Sequence, residues 1–194
     1  MDALIENTPR TYTVEKYLSM EERSSVKHHF LNGEIIPIPG ARPLHNLIAA
    51  NIITQLNIEL EKKSKEYFVL TSDTKIHIPR FNHFIYPDAV VICEHIELYP
   101  GSSTVIVNPL LIVEVLSPST NVYDRGEKFY DYKQIPSFKE YVLIEQKLPF
   151  VTSSFKTAER TWKDTEAEGL DSSIYLESID CTIELKKIYK GVRF

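Results

Sequence analysis

Cysteine is scarce in this sequence, with only Cys93 and Cys181 among 194 residues. Two thiols so far apart form neither a disulfide framework nor the short-spaced ligand pairs of a zinc site, so both are expected to be reduced. Long apolar runs are missing as well. No stretch approaches the roughly 18 consecutive apolar residues of a membrane helix. Met1 to Arg10 lacks the charged start and apolar middle of a secretory signal, and the expected location is cytoplasmic. Positive charge is not in excess. Lys and Arg number 22 against 27 Asp and Glu, a net charge of −5 that argues against broad nonspecific binding to nucleic acid but leaves room for a local basic groove. There is no internal repeat, low-complexity tract or linker, no G-x-S-x-G elbow and no Walker glycine loop. What is present is ordinary: 43% hydrophobic and 25% charged residues, enough for one globular domain over 1–194.

The opening segment TYTVEKYLSMEER places Val14, Tyr17 and Leu18 at helical spacing behind Thr13, a cap residue, and predicts a short helix. In HHFLNGEIIPIPG, Asn32-Gly33 between two extended runs predicts a two-residue hairpin with Glu34 starting its second strand. From Pro43 to about Lys63, Leu44, Leu47, Ile48, Ile52, Leu56 and Leu60 recur in steps of three and four, which predicts the longest helix. YFVL, KIHI, DAVVIC, NPLLIVEVL and EYVLIE read as strands, the last buried between helices on both sides. A helix is expected from about Asp124 to Gln134. FVTSSF, ERTWKD, IYLES and TIELKKIY read as shorter strands or edges. This order gives an α/β fold with a mixed sheet.

Two acids stand out. Asp88 sits at the mouth of the strand AVVIC, and Glu114 interrupts the otherwise apolar LLIVEVL. An ionised carboxylate inside such a strand is costly unless a cation, a metal or several donors compensate it. If the two successive strands pair, both acids come within reach of one hard divalent cation, for which magnesium prefers oxygen ligands. A structural reading stands beside this one: Asp88 as a strand-initiating turn residue and Glu114 as an ion-paired strand residue. Asp124, Lys128 and Tyr132 follow at steps of four and share a face if helical. Lys128 then either projects toward the acids, to supply positive charge or help deprotonate a water, or forms a solvated pair with Asp124. Ser117, Ser119 and Thr120 are expected to shape a turn rather than act as nucleophiles. His77 and His83 have no metal-ligand spacing.

YPDAVVIC, NPLLIVEVLSPSTNVYDRGEKFYDYK and EYVLIE, with LNGEIIPIPG and the VEKYL helix upstream, resemble the Uma2 family of restriction endonucleases, a branch of the PD-(D/E)XK nuclease superfamily. The likeness extends from about Val14 to Glu145 and more weakly to the C-terminus. It implies a restriction-endonuclease-like fold, a mixed central sheet flanked by helices, with a nuclease core over about 88–132. Asp88 would match the PD acid and Glu114 the second acidic ligand, with the Val115 carbonyl as a further metal ligand. The superfamily's lysine normally lies two residues after the second acid, where this chain has Leu116, and Lys128 is the replacement the resemblance implies. Glu34 matches an upstream acid that would bind metal directly or through water, and His45 a position near the site, beside the plainer reading of a histidine at a helix start as a capping or surface residue. Val142 and Glu145 depart from the aromatic and aspartate usual in the family, a change to a core strand more than to the site.

The expectation is therefore a magnesium- or manganese-dependent endonuclease acting on DNA, with a homodimer expected by analogy with nucleases of this fold. Candidate DNA-facing cations are Arg125, Lys133, Lys186, Lys187, Lys190 and Arg193. Two rivals are kept: a catalytically silent domain that binds nucleic acid or assembles with itself, motivated by the acidic net charge and the displaced lysine, and a hydrolase of a smaller phosphate ester.

Overall fold

The structure is a computed structural model that describes residues 11–118 and 120–194. The expectations for Met1 to Arg10 and for Ser119 lie outside these residues. Helix α1 is Val14–Glu21, and the Thr13 hydroxyl accepts from the Lys16 amide at 3.3 Å as its cap. It lays the buried Tyr17 against Phe30 and Phe84, with ring centroids 4.9 and 5.6 Å apart. Strands β1 (His28–Leu31) and β2 (Glu34–Pro37) form the expected hairpin. Asn32 and Gly33 both take positive φ, 49° and 95°, as its two-residue turn requires. Helix α2 spans Pro43–Leu60 and buries Ile48, Ile52, Leu56 and Leu60 as one stripe. Each such side chain contributes roughly 1.5–3 kcal/mol of burial. Leu44 and Leu47, in its first turns, stay partly exposed.

Six strands follow: β3 (Tyr67–Thr71), β4 (Lys75–Ile78), β5 (His83–Ile85), β6 (Ala89–Cys93), β7 (Val105–Ile106) and β8 (Leu111–Val115). Next come α3 (Asn121–Tyr123), a π-helical turn over Asp124–Lys128, and α4 (Phe129–Tyr132). Strands β9 (Glu140–Ile144), β10 (Phe150–Ala158), β11 (Thr161–Glu168) and β12 (Ser173–Leu176) lead to a 3-10 turn over Glu177–Ile179. Strand β13 (Cys181–Glu184) and helix α5 (Leu185–Ile188) end the fold.

A six-stranded mixed sheet, β11-β10-β9-β8-β6-β3, is the centre; β8 and β9 run parallel and its other pairs antiparallel. One face packs on α2, α5, β12 and β13 through Ile48, Val113, Val142, Ile183 and Ile188. The other carries Val90, Ile112 and Tyr141 against Tyr132, Phe138 and the isoleucines of a second sheet, β2-β1-β5-β4-β7. The α/β class and mixed sheet are as the sequence implied, and the second sheet shares one flank with the helical segment. Strand β9 is buried throughout, as its apolar run requires. Among the described residues no helix is long and apolar enough to cross a membrane.

Three local expectations change. The short β5 was not expected as a strand. The segment LKKI, read as part of a strand, is the helix α5, which buries Leu185 and Ile188 one turn apart. FVTSSF and ERTWKD fall in a long hairpin of nine and eight residues rather than in shorter strands, and its second strand, β11, is an edge of the central sheet. At the start of β9, Glu140 is fully buried and accepts from the Ser153 and Ser178 hydroxyls and from the Glu177 and Ser178 amides at 2.6–3.0 Å. Four donors compensate the buried charge.

Candidate active site

The ladder of the central sheet brings the two acids together. Strands β6 and β8 are antiparallel with Ala89 opposite Val113, so one step further along the ladder sets Asp88 opposite Glu114. Side chains alternate along a strand, and these two fall on the face of Val90 and Ile112, toward the helical segment. Asp88 Oδ2 accepts the Val115 amide at 2.7 Å and lies 3.0 Å from His45 Nε2 at the start of α2. Glu114 Oε1 takes Lys128 Nζ at 2.6 Å and the Tyr132 hydroxyl at 3.0 Å. Lys128 Nζ also reaches Asp124 Oδ1 at 3.3 Å. Glu114, Asp124 and Lys128 are 3%, 3% and 5% exposed, which removes the reading of Lys128 as half of a solvated pair. The Tyr141 hydroxyl donates to the Asp124 carbonyl at 2.9 Å and ties the π turn to β9.

Burial pushes the Glu114 carboxyl upward; Lys128 opposes this, while Asp88 and Asp124 push it further. Burial disfavours the Lys128 ammonium, but Glu114, Asp124 and Asp88 outweigh it and hold the proton on. Three acids thus surround one lysine. A lysine so held serves to stabilise charge rather than to remove a proton. Burial also opposes the charged form of His45, and the hydrogen bond and charge of Asp88 outweigh it, with help from Asn46 and Asp124, so its pKa rises. Its Nδ1 is buried without a hydrogen-bond partner among the described residues.

The acids suit a hard divalent cation. Both donors to Glu114 go to Oε1 and both neighbours of Asp88 lie at Oδ2, so one oxygen of each carboxylate has no hydrogen bond among the described residues. In an extended strand the N–H and C=O of one residue point the same way, which turns the Val115 carbonyl to the Asp88 side. Among the described residues no group of three His, Cys, Asp or Glu is gathered as a ready-made cage. Magnesium suits such a site, since it is usually held by one or two carboxylates with water and substrate phosphate completing the shell.

Glu34 is exposed at the start of β2 and has no hydrogen bond or ion pair with this cluster among the described residues. Ser117 and Thr120 shape the turn after β8: their hydroxyls lie 2.9 Å apart and the Thr120 amide donates to Ser117 Oγ at 3.3 Å. His77 packs among Phe84 and Tyr99, and His83 Nδ1 pairs with Asp131 Oδ2 at 2.8 Å. Of the DNA-facing candidates, Arg125 is paired with Glu145 at 2.6 Å, Lys133 stands over the Phe129 ring at 3.7 Å, and Glu184 holds both Lys186 and Lys187. Lys190 and Arg193 are exposed. Val142 lies in the core.

Sequence reasoning missed His29. It lies on β1, accepts the Tyr86 amide at Nδ1 at 3.4 Å, and its pKa falls to about 3 through burial and the nearby charges of Lys128 and Lys27. Such a ring takes its proton near 6.5 in the unfolded chain and only near 3 in the folded one, so below pH 6.5 the unfolded state binds more protons and stability falls as the solution is acidified. Between pH 7.5 and 5, urea unfolding should lose about 2 kcal/mol to this group. His29→Asn should remove that part of the acid sensitivity; an unchanged pH slope would contradict it.

Residues 14–185 match the model of the Uma2 family, described as "Putative restriction endonuclease". Two curated relatives come from Synechocystis sp., "Uncharacterized protein sll1609" and "Uncharacterized protein slr1290". The first is 37% identical over 167 residues, 86% of this chain and 93% of the relative. The second is 32% identical over 180 residues, 93% of this chain and 92% of the relative. The fold is similar to the crystal structure of "a putative nuclease belonging to DUF820" from Anabaena variabilis, with a TM-score of 0.74 over 94% of this chain and 99% of that one at 14% identity.

Proposed function

Because this chain belongs to the Uma2 family, we propose that it is a magnesium- or manganese-dependent endonuclease that hydrolyses DNA phosphodiester bonds at the Asp88, Glu114 and Lys128 cluster. One observation carries the reading: two carboxylates opposed across the β6–β8 ladder, each with an oxygen free of hydrogen bonds among the described residues, beside a buried ammonium. Asp88, Glu114 and the Val115 carbonyl would hold the ion, which supplies Lewis-acid polarisation of the scissile phosphate and a lowered water pKa.

The chain's own groups do the rest. His45 and the Val115 amide fix Asp88 through Oδ2, and Tyr132 and Lys128 fix Glu114 through Oε1, which leaves one oxygen of each carboxylate without a hydrogen bond among the described residues and available to an ion. His45 is in this scheme a positioning residue. The Lys128 ammonium stabilises the negative charge that develops on the phosphoryl oxygens during attack. A two-fold homodimer would let two such sites address both strands of a duplex.

The test is incubation of the purified protein with supercoiled, linear and single-stranded DNA in magnesium, manganese or chelator, beside Asp88→Ala. Cutting is expected with either metal, none in chelator, and a loss of about 10³-fold in the variant. The reading of a silent domain is favoured by one feature, the absence of a gathered three-ligand cage among the described residues. A manganese titration separates the two, because a silent domain shows no saturable site.

A further inference from the structure

Helix α2 is apolar on both sides. Ile48, Ile52, Leu56 and Leu60 face the core, yet the side turned to solvent is built from Pro43, Leu44, Leu47, Ala50, Thr54 and Ile58. Between Pro43 and Leu60 the only Asp, Glu, Lys or Arg is Glu59, and Lys62 holds it at 2.8 Å. A surface helix ordinarily carries charge on its outer side, and a helix apolar all round is ordinarily covered. Covering this one would cost little in lost hydrogen bonds. The Thr54 hydroxyl donates to the Ala50 carbonyl at 2.8 Å and the Asn57 amide to the Ile53 carbonyl at 2.9 Å, so both groups are already engaged within the helix.

The two ends of α2 point to the occupant. Arg42 and Glu61 cap the helix, both exposed and neither in an ion pair among the described residues. Each has the wrong sign for its own helix, because the macrodipole is positive at the N-terminus and negative at the C-terminus. The first turn has no acid and the last turn no base to offset them. Lys62 and Lys63, just beyond, are taken by Glu59 and Asp180. An antiparallel second α2 corrects both ends at once. Arg42 and Glu61 lie equally far from the middle of the helix, so a two-fold axis there sets Arg42 of one copy beside Glu61 of the other. Within one residue the same holds for Leu44 and Ile58. A parallel copy would instead set like charges together.

We propose that the outer face of α2 is the interface of a two-fold dimer, in which α2 packs antiparallel on the α2 of a second copy and Arg42 pairs with Glu61 across each end. The face is complementary to itself, as an isologous contact requires. Because His45 in the first turn of α2 reaches Asp88 at 3.0 Å, the two Asp88 sites would lie at opposite ends of the helix pair. The dimer would form whether or not the chain cuts DNA.

Light scattering at micromolar concentrations tests this, and the wild type should have the mass of a dimer. Thr54→Glu, at an exposed position, sets like charges facing each other across the axis and should weaken the dimer about 100-fold. Arg42→Glu and Glu61→Arg should each weaken it about 10-fold, and the double substitution should return it to within about threefold of the wild type. Either single change suits the dipole of its own helix, so a weaker dimer does not report a damaged fold. A wild type that is monomeric overturns the proposal and leaves the face to a different protein. A dimer that Thr54→Glu leaves intact overturns it as well, by placing the interface elsewhere. Single reversals that weaken the dimer without rescue by the double substitution overturn the antiparallel arrangement.

Discussion

Glu114→Gln is expected to lower single-turnover DNA cleavage about 10³-fold while leaving the protein folded, the effect typical of losing one electrostatic stabiliser from a preorganised site. The amide oxygen can still accept from Lys128 and Tyr132 at the position of Oε1, so the packing beneath the site is retained. What changes is the other oxygen. It becomes an NH2 group, two donors where a cation needs an acceptor. Manganese affinity should fall in parallel, and calorimetric titration of metal beside the cleavage assay checks this. Stability should fall, though by less than on loss of the lysine, since the ammonium loses its nearest counter-charge but keeps Asp124 and both hydrogen bonds at this position. A Glu114→Gln protein that cuts at the wild-type rate would sink the assignment.

Lys128→Met should have the largest effect on stability, a loss of about 3–5 kcal/mol at pH 8, typical of removing one partner from a buried ion pair. Methionine replaces the stem but leaves Glu114 and Asp124 buried with no cation between them. The Glu114 carboxyl, already pushed up by burial, would then lose the ammonium that opposes this and hold its proton more tightly in the folded than in the unfolded state. A group with a raised folded pKa contributes stability at low pH that is lost as the pH climbs through that value. The variant should therefore recover stability between pH 8 and pH 5.5, the opposite direction to the His29 effect in the wild type. Millimolar manganese should also restore part of it by mass action, because the ion binds only the folded chain. Urea denaturation at both pH values, with and without manganese, reads all three. A variant as stable as the wild type at pH 8 would mean that the acids find compensation elsewhere.

Much of the frame was legible because the signals were local. Asn32-Gly33 specifies its turn through φ alone, and the α2 stripe repeats often enough to fix a helix. Glu114 drew notice for a different reason: charge inside an apolar strand demands an explanation wherever the strand ends up, and Asp88 stands at the mouth of the strand before it. Strand β5 was missed because three residues, His83–Ile85, carry too little alternation to register. Helix α5 was missed because Ile183 and Leu185 continue the period of a strand before Ile188 breaks it. His29 has no marker of its own in the sequence, because its burial arises from how β1 packs in the fold, which a residue pattern does not encode.

Glu140 bears on how the molecule can be divided. Its carboxylate is held by β10 on one side and by the 3-10 turn after β12 on the other, while its own strand β9 lies directly beside β8, which carries Glu114. Removing the C-terminal quarter would strand that charge in the middle of the sheet. The last hairpin and the strands that carry Asp88 and Glu114 are therefore expected to melt as a single cooperative unit. A minimal fragment built around residues 88–132 would lack the neighbour that keeps its central strand in register, so evolution could not have shuffled that core as a free-standing module.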